Sequence, residues 1–309
     1  MIIKYLKHIE INKNKWNECI VTASNSLIFA FSFYLDIMAP NWDAIIINDY
    51  EFVLPLPIKK KWGIKYIYIP PFIPQLGLFG KNPTLNIDNL LPLLNSKVNY
   101  GDIFFNHHNR ISSSLVKQRT NFILHLKKDY EHIYKNYATD LKRILRKQVK
   151  NEMLYSKQNT IEYTINLYKE NYAHRTPHLS NSDYKIFLDA CNMLNTTENC
   201  FTRSICTSDE SILCSLICLA DENRIYTIIN PSTILGRQKE AAIFLFDELI
   251  REFSETDKVL DFVGSDLAGV KFFLNKYGPI DEPIFFYHFN YLPYPARFFK
   301  NSFKSIKNF

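Results

Sequence analysis

Apolar and polar positions follow two periods along this chain. "WDAIIIND" (42–49) and "YEFVLPLPI" (50–58) are short runs rich in branched and aromatic residues, which predicts two strands turning at Asn48 and Asp49. "IKYIYIPPF" (64–72) predicts a third strand stopped by Pro70 and Pro71. A helix opening the stretch 15–40, a helix within 85–96 and a strand at "GDIFFNHHN" (101–109) complete the first half. "TDLKRILRKQVKN" (139–151) has the plainest helical period: Leu141, Ile144, Leu145 and Val149 make one apolar stripe, and Thr139 or Asp140 stands where an N-cap belongs. Its other side carries Lys142, Arg146 and Lys150 at every fourth position, with Arg143 and Lys147 beside them. A solvated face is the ordinary reading of such a row, and an anion-binding face the functional one.

The second half repeats this grammar. "SILCSLICLADENRIYTIIN" (211–230) predicts a hairpin turning near Asp221–Asn223, and a loop (231–240) feeds a helix over 241–253. A strand (258–265), a helix (267–277) and a strand (282–289) follow. Two related α/β domains in tandem are expected, with the boundary near 125 to 135. The division is 1–130 and 131–309, with a tail of about 290–309 returning to the first domain.

Composition narrows the function classes. Only 8 glycines occur in 309 residues, and no GxGxxG or Walker-type run appears, which argues against glycine-rich nucleotide folds. GxSxG is absent as well, which removes the hydrolase elbow. The net charge of +6 suits an anionic substrate without demanding one, and nothing points to DNA. Five of the six cysteines fall between 191 and 218 without a CxxC pair, and Cys214 and Cys218 share one face of a strand. Packed free thiols, together with the lack of a signal peptide, point to a reducing cytoplasm. No run reaches the ~18 apolar residues of a membrane span. His107 and His108 are adjacent on an expected strand and so face opposite ways. His174 and His178 have no nearby cysteine, so no metal site is expected.

Three stretches carry a family resemblance: "WDAIIINDYEFVLPLPIKKKWGIKYIYIPPFIPQLGLF", "QRTNFILHLKKDYEHIYKNYATDLKRILRKQVKN" and "LDFVGSDLAGVKFFLNKYG". In this order they resemble the FemAB-like peptidoglycan aminoacyltransferases of the GNAT superfamily, in the form found in Bacteroidetes, over most of the chain. The resemblance implies a mixed α/β fold of two tandem GNAT-like domains, each a mostly antiparallel sheet flanked by helices. It implies acyl transfer from a thioester or an aminoacyl-tRNA to an amine or hydroxyl.

The resemblance also assigns residues. The family's donor loop, Q/R-x-x-G-x-G/A, maps onto "RQKEAA" (237–242): Arg237 stands first and Ala242 last, Gly236 supplies the turn, and Glu240 stands where glycine is expected. Asn230, Ser232 and Gln238 lie in the same 230–242 loop, and a helix N-terminus there would favour a pyrophosphate. The family's catalytic tyrosine or lysine, four residues before a glycine, falls on Leu274 when counted from Gly278. Tyr277 and Ser265 are therefore the candidate catalytic residues, whereas Asp261 reads as structural. Gln75, Tyr172 and Arg175 are candidates for the acceptor side. The leading expectation is a cytoplasmic acyltransferase using acetyl-CoA or another acyl-CoA on a small-molecule or cell-envelope precursor. The alternatives are an aminoacyl-tRNA-dependent transferase, favoured by Lys142, Arg146 and Lys150, and an inactive tandem scaffold, favoured by Glu240 and Leu274.

Overall fold

The computed structural model describes the chain except for residues 82–85, 110, 113, 149–152, 159, 265, 295–296 and 298–309. Two units make up the chain: Met1–Arg119 together with the stretch beginning at Pro283, and Thr120–Glu282. The first contains β1 (Ile3–Leu6), α1 (Lys13–Thr22), α2 (Ser32–Met38), β2 (Trp42–Ile47), β3 (Phe52–Lys61), β4 (Ile64–Ile67), β5 (Phe79–Gly80), α3 (Leu91–Lys97), β6 (Tyr100–Phe105) and β7 (Val116–Arg119). The second opens with β8 (Phe122–His125), α4 (Tyr130–Lys135), α5 (Thr139–Gln148), β9 (Leu154–Ser156), α6 (Ile161–Tyr172) and α7 (Asn181–Asn195). It continues through β10 (Cys200–Cys206), β11 (Ile212–Ala220), β12 (Arg224–Ile229), α8 (Ile234–Gln238), α9 (Ala241–Phe253), β13 (Val259–Asp261), α10 (Ala268–Asn275) and β14 (Ile280–Asp281). The last strand, β15 (Ile284–Asn290), returns to the sheet of the first unit.

The two sheets share one plan. The first runs β1-β2-β3-β4-β6-β15-β7, with β5 paired on β3, and the second runs β9-β10-β11-β12-β13-β8-β14. Along each path three antiparallel pairings are followed by one parallel pairing and two more antiparallel ones. This is the expected class: two mixed sheets, mostly antiparallel, with helices packed against them.

Sequence pattern explains the elements. Every residue of β2 is buried, which is why "WDAIII" reads as a nearly continuous apolar run rather than an alternation. Trp42 from this strand packs on Trp16 of α1 with ring centroids 4.6 Å apart, and Trp16 Nε1 donates to Ala30 O at 2.8 Å. In α5, Leu141 and Leu145 are buried and Ile144 is half-buried, while Val149 and Lys150 lie outside the described residues. The helix begins at Thr139, so Thr139 and Asp140 sit inside its first turn, and Asp140 pairs with Lys276 at 2.7 Å. All six cysteines are buried free thiols. His107 and His108 are not on a strand: β6 ends at Phe105, and Asn106 closes a turn by accepting from His108 N at 3.1 Å. Their rings stand 3.9 Å apart instead of facing opposite ways.

Candidate functional site

In the second unit the parallel strands β12 and β13 stay in register for three rungs, Arg224 to Val259, Ile225 to Leu260 and Tyr226 to Asp261. They then part. On the β13 side, Val263 and Gly264 both adopt left-handed backbone, φ 60° and 53°. For a β-branched residue such as Val263 that conformation is a true outlier. The Asp261 carboxylate holds it by accepting from Val263 N at 2.8 Å. Gly264 cannot be another residue cheaply, because an added Cβ would stand 2.7 Å from Thr120 O. Asp261 is fully buried and bonded to Arg224 at 3.0 Å, and Arg224 makes two further bonds to Glu282. Burial pushes the Asp261 pKa up, against the pull of Arg224. Through these bonds Asp261 fixes the strand end.

On the β12 side the register against β11 slips: Thr227 faces Cys218 and Ile229 faces Ile217, leaving Ile228 as an extra residue. Such a bulge bends a strand and increases its twist. Among the described residues no ladder pairing joins Thr227–Asn230 to the Val263–Gly264 turn, and no other strand or bridge pairs between these two edges, which leaves an unpaired wedge in the ladder.

The loop that follows β12 is tied to β11. Asn230 Nδ2 donates to Ser215 O at 2.8 Å, and Ser215 N donates to Pro231 O at 3.0 Å. Ser232 is buried, and its carbonyl accepts from an Arg237 guanidinium nitrogen at 2.8 Å. Gly236 presses on the same strand so closely that a Cβ would lie 1.9 Å from Leu213 O. Gln238 is exposed at the end of α8, and Ala242 is half-buried in the first turn of α9. Glu240, at the motif's glycine position, takes the left-handed conformation that glycine would adopt, φ 54°. No side-chain hydrogen bond caps the start of α9. Of the expected donor residues, Asn230, Ser232 and Gly236 thus hold the loop in place, while Arg237 and Gln238 are exposed and Ala242 is half-buried in α9.

The catalytic candidates fare differently. Ser265 lies outside the described residues. Tyr277 is a core residue: it is fully buried among Tyr137, Phe246, Phe262 and Phe273, and its hydroxyl donates to Ile243 O at 3.1 Å. Burial raises its pKa well above that of a free tyrosine, and in this position it packs the core. Leu274 is buried in the same cluster. On the buried side of α9, Asp247 accepts from Tyr130 OH at 2.8 Å, and burial lifts its pKa to about 6.

The acceptor candidates are not gathered at this wedge. Tyr172 ends α6, and Arg175 closes the short helical turn after it, with its guanidinium 5.3 Å from the Tyr172 ring and Nε on His174 Nε2 at 3.3 Å. Among the described residues no hydrogen bond, ion pair or ring contact joins either to the 230–242 loop. Gln75 belongs to the first unit and is buried in that unit's counterpart of the wedge. There β4 and β6 pair only at Ile67 and Gly101 before parting. The gap is filled by the chain itself, since Leu76 N donates to Phe104 O and Leu76 O accepts from Asn106 N, both at 2.9 Å. Gln75 lines only a small cavity there with Tyr68 and Asp102.

The signal missed in the sequence was the contrast between these two gaps. A glycine directly after the apolar run "VLDFV" marked one of them, but no local pattern reports whether a gap is filled. Among the described residues no group of three or more His, Cys, Asp or Glu side chains is placed to hold a metal, and no helix is long and apolar enough to cross a membrane.

No protein-family model matches the sequence, and no curated protein matches it. Solved structures do match. FemX superposes with a TM-score of 0.63 at 13% identity, over 94% of this chain and 98% of that one. The C-terminal domain of a putative lysylphosphatidylglycerol synthetase from Agrobacterium fabrum gives 0.56 at 9% identity, over 95% and 96%. A GNAT-family acetyltransferase from Colwellia psychrerythraea gives 0.50 at 10%, over 94% and 100%. The fold is therefore GNAT-like and FemAB-like, shared along almost the entire chain at an identity that speaks for fold alone.

Proposed function

We propose that the chain is a GNAT-like acyltransferase whose donor site is the wedge of the second unit. The observation that carries this reading is the contrast between the two sheets: the parallel pair parts in both, and among the described residues backbone bonds of the chain itself bridge the gap only in the first. Strand edges that have lost each other's N–H and C=O groups suit a donor with amide groups of its own, such as acyl-CoA. The uncapped start of α9 and the outward Arg237 would meet its phosphates. The acceptor amine or hydroxyl attacks the thioester carbonyl, the C–S bond breaks, and the proton lost by the acceptor ends on the departing thiolate. With Leu274 and Tyr277 both in the core, rate acceleration would rest on holding donor and acceptor together and on backbone N–H groups facing the oxyanion.

Thermal denaturation with acetyl-CoA tests this. At a hundredfold excess over Kd the stabilisation is about 2.7 kcal/mol, a rise of several degrees. An unchanged midpoint at millimolar acetyl-CoA removes the reading.

A second reading, aminoacyl-tRNA as donor, is favoured by one observation: Arg143, Arg146 and Lys147 are all exposed on α5. Changing the three to glutamine would then weaken tRNA retention and flatten its salt dependence. Retention unaffected by the change discards this donor. A cell-envelope precursor is the acceptor proposed with either donor, and FemX is the similar structure that motivates it.

A further inference from the structure

The hairpin β3–β4 extends beyond its sheet. The β2 ladder on β3 ends with Trp42 opposite Pro57, yet β3 continues to Lys61 and pairs over Ile58–Lys61 with β4 alone. Its sequence, "IKKKWGIKYI" (58–67), holds four lysines and no acid. Lys65 is turned inward onto Asp43 and Tyr5, which leaves Lys59, Lys60 and Lys61 exposed near the apex. Trp62 forms the apex itself and is 88% exposed.

Trp62 also holds an unfavourable backbone. Trp62 and Gly63 both have positive φ, 50° and 77°. The tight turn of a two-residue hairpin prefers Asn-Gly or Asp-Gly in this state, and a bulky side chain there is disfavoured. The indole recovers little from the core in return, since it is almost wholly exposed, with Lys61 Nζ 4.8 Å from its ring centroid. An apolar ring at a projecting tip, in a strained position, is explained by a partner outside the chain.

The arrangement identifies the partner's chemistry. Strand alternation sends Lys59 and Lys61 to one face of the ribbon and Lys60 to the other, so the cations surround the tip rather than line one side. A groove-shaped polyanion would be met by one face. A flat anionic surface approached end-on is met by all three, with the ring leading. Tryptophan settles at the interfacial depth of a bilayer, and lysine ammonium groups at its phosphates. We infer that the tip of this hairpin docks the protein, peripherally, on an anionic phospholipid surface. The inference is independent of the proposed donor site.

Fluorescence offers a selective test, because the other two tryptophans, Trp16 and Trp42, are fully buried. Vesicles of phosphatidylcholine with 30% phosphatidylglycerol should shift the emission to the blue and carry the protein down on sedimentation, whereas pure phosphatidylcholine should not. Trp62→Ala should remove the shift and most of the binding. Each of Lys59→Gln, Lys60→Gln and Lys61→Gln should weaken partitioning about fivefold, and high salt should release the protein. Unchanged circular dichroism and melting of the variants exclude misfolding as the cause. Absence of binding to the anionic vesicles overturns the inference. So does binding indifferent to these substitutions, or a shift produced by RNA but not by vesicles.

Discussion

Tyr226 and Asp261 form the last rung of the parallel ladder in the second unit. One residue further on, Thr227 Oγ1 still reaches Asp261 O at 3.4 Å, and after that the strands follow separate courses. The turn at Val263 and Gly264 makes the separation, so Gly264→Ala should destabilise the protein by about 2 kcal/mol, through positive φ and the contact with Thr120 O. Gly269→Ala, where an added Cβ meets nothing within 4 Å, is the matched control and should be neutral or slightly stabilising. Urea denaturation midpoints of the two variants check this.

Leu274 occupies the position at which the family resemblance expects catalysis, but its surroundings are those of a core residue. Leu274→Ala should cost about 2–4 kcal/mol while leaving the affinity for acetyl-CoA within about twofold of wild type. Calorimetric titration alongside denaturation separates the two effects. A large loss of affinity in a folded variant would return the residue to the site.

Asp247 gives a pH signature. Its folded pKa of about 6 lies above the ordinary aspartate value of 3.8 that the unfolded chain has, so between these values the native state binds more protons. Its contribution is therefore fully present below about pH 4 and lost as pH rises through 6. Asp247→Asn should stabilise the protein by on the order of 1–3 kcal/mol at pH 7.5 and have little effect at pH 4. Melting curves across that range should be flatter for the variant; equal slopes would contradict the buried-carboxylate account.

Arg237 is the side chain of the 230–242 loop proposed to meet the donor's phosphates. With one guanidinium nitrogen on Ser232 O, it has others left to donate. Arg237→Gln should reduce acetyl-CoA affinity by about tenfold and shift the melting point of the unliganded protein little. Affinity equal to wild type would remove it from the site.

Strands such as β2, β3, β11 and β12 were legible because branched and aromatic runs bounded by turn residues leave few alternatives. The basic helix was legible because its apolar stripe has the helical period. The partners of β8 and β15 were not, since a strand's composition does not name its neighbour. The surroundings of Tyr277 were not legible for a related reason: adjacency to the family position does not reveal that this residue lies in the turn after α10 with its ring in the aromatic core. Glu240 is the instructive case. Its identity departs from the motif while its backbone keeps the conformation the motif glycine serves, and no sequence pattern could have separated the two. Ile228 became visible only through the register of its neighbours.

The most direct test of the donor wedge is amide hydrogen exchange with and without acetyl-CoA. The account predicts added protection at Thr227–Asn230, in the first turn of α9 from Ala241, and at Val263–Gly264, with the gap of the first unit around Gln75 and Leu76 unchanged. Protection confined to the first unit, or none at saturating donor, would contradict it.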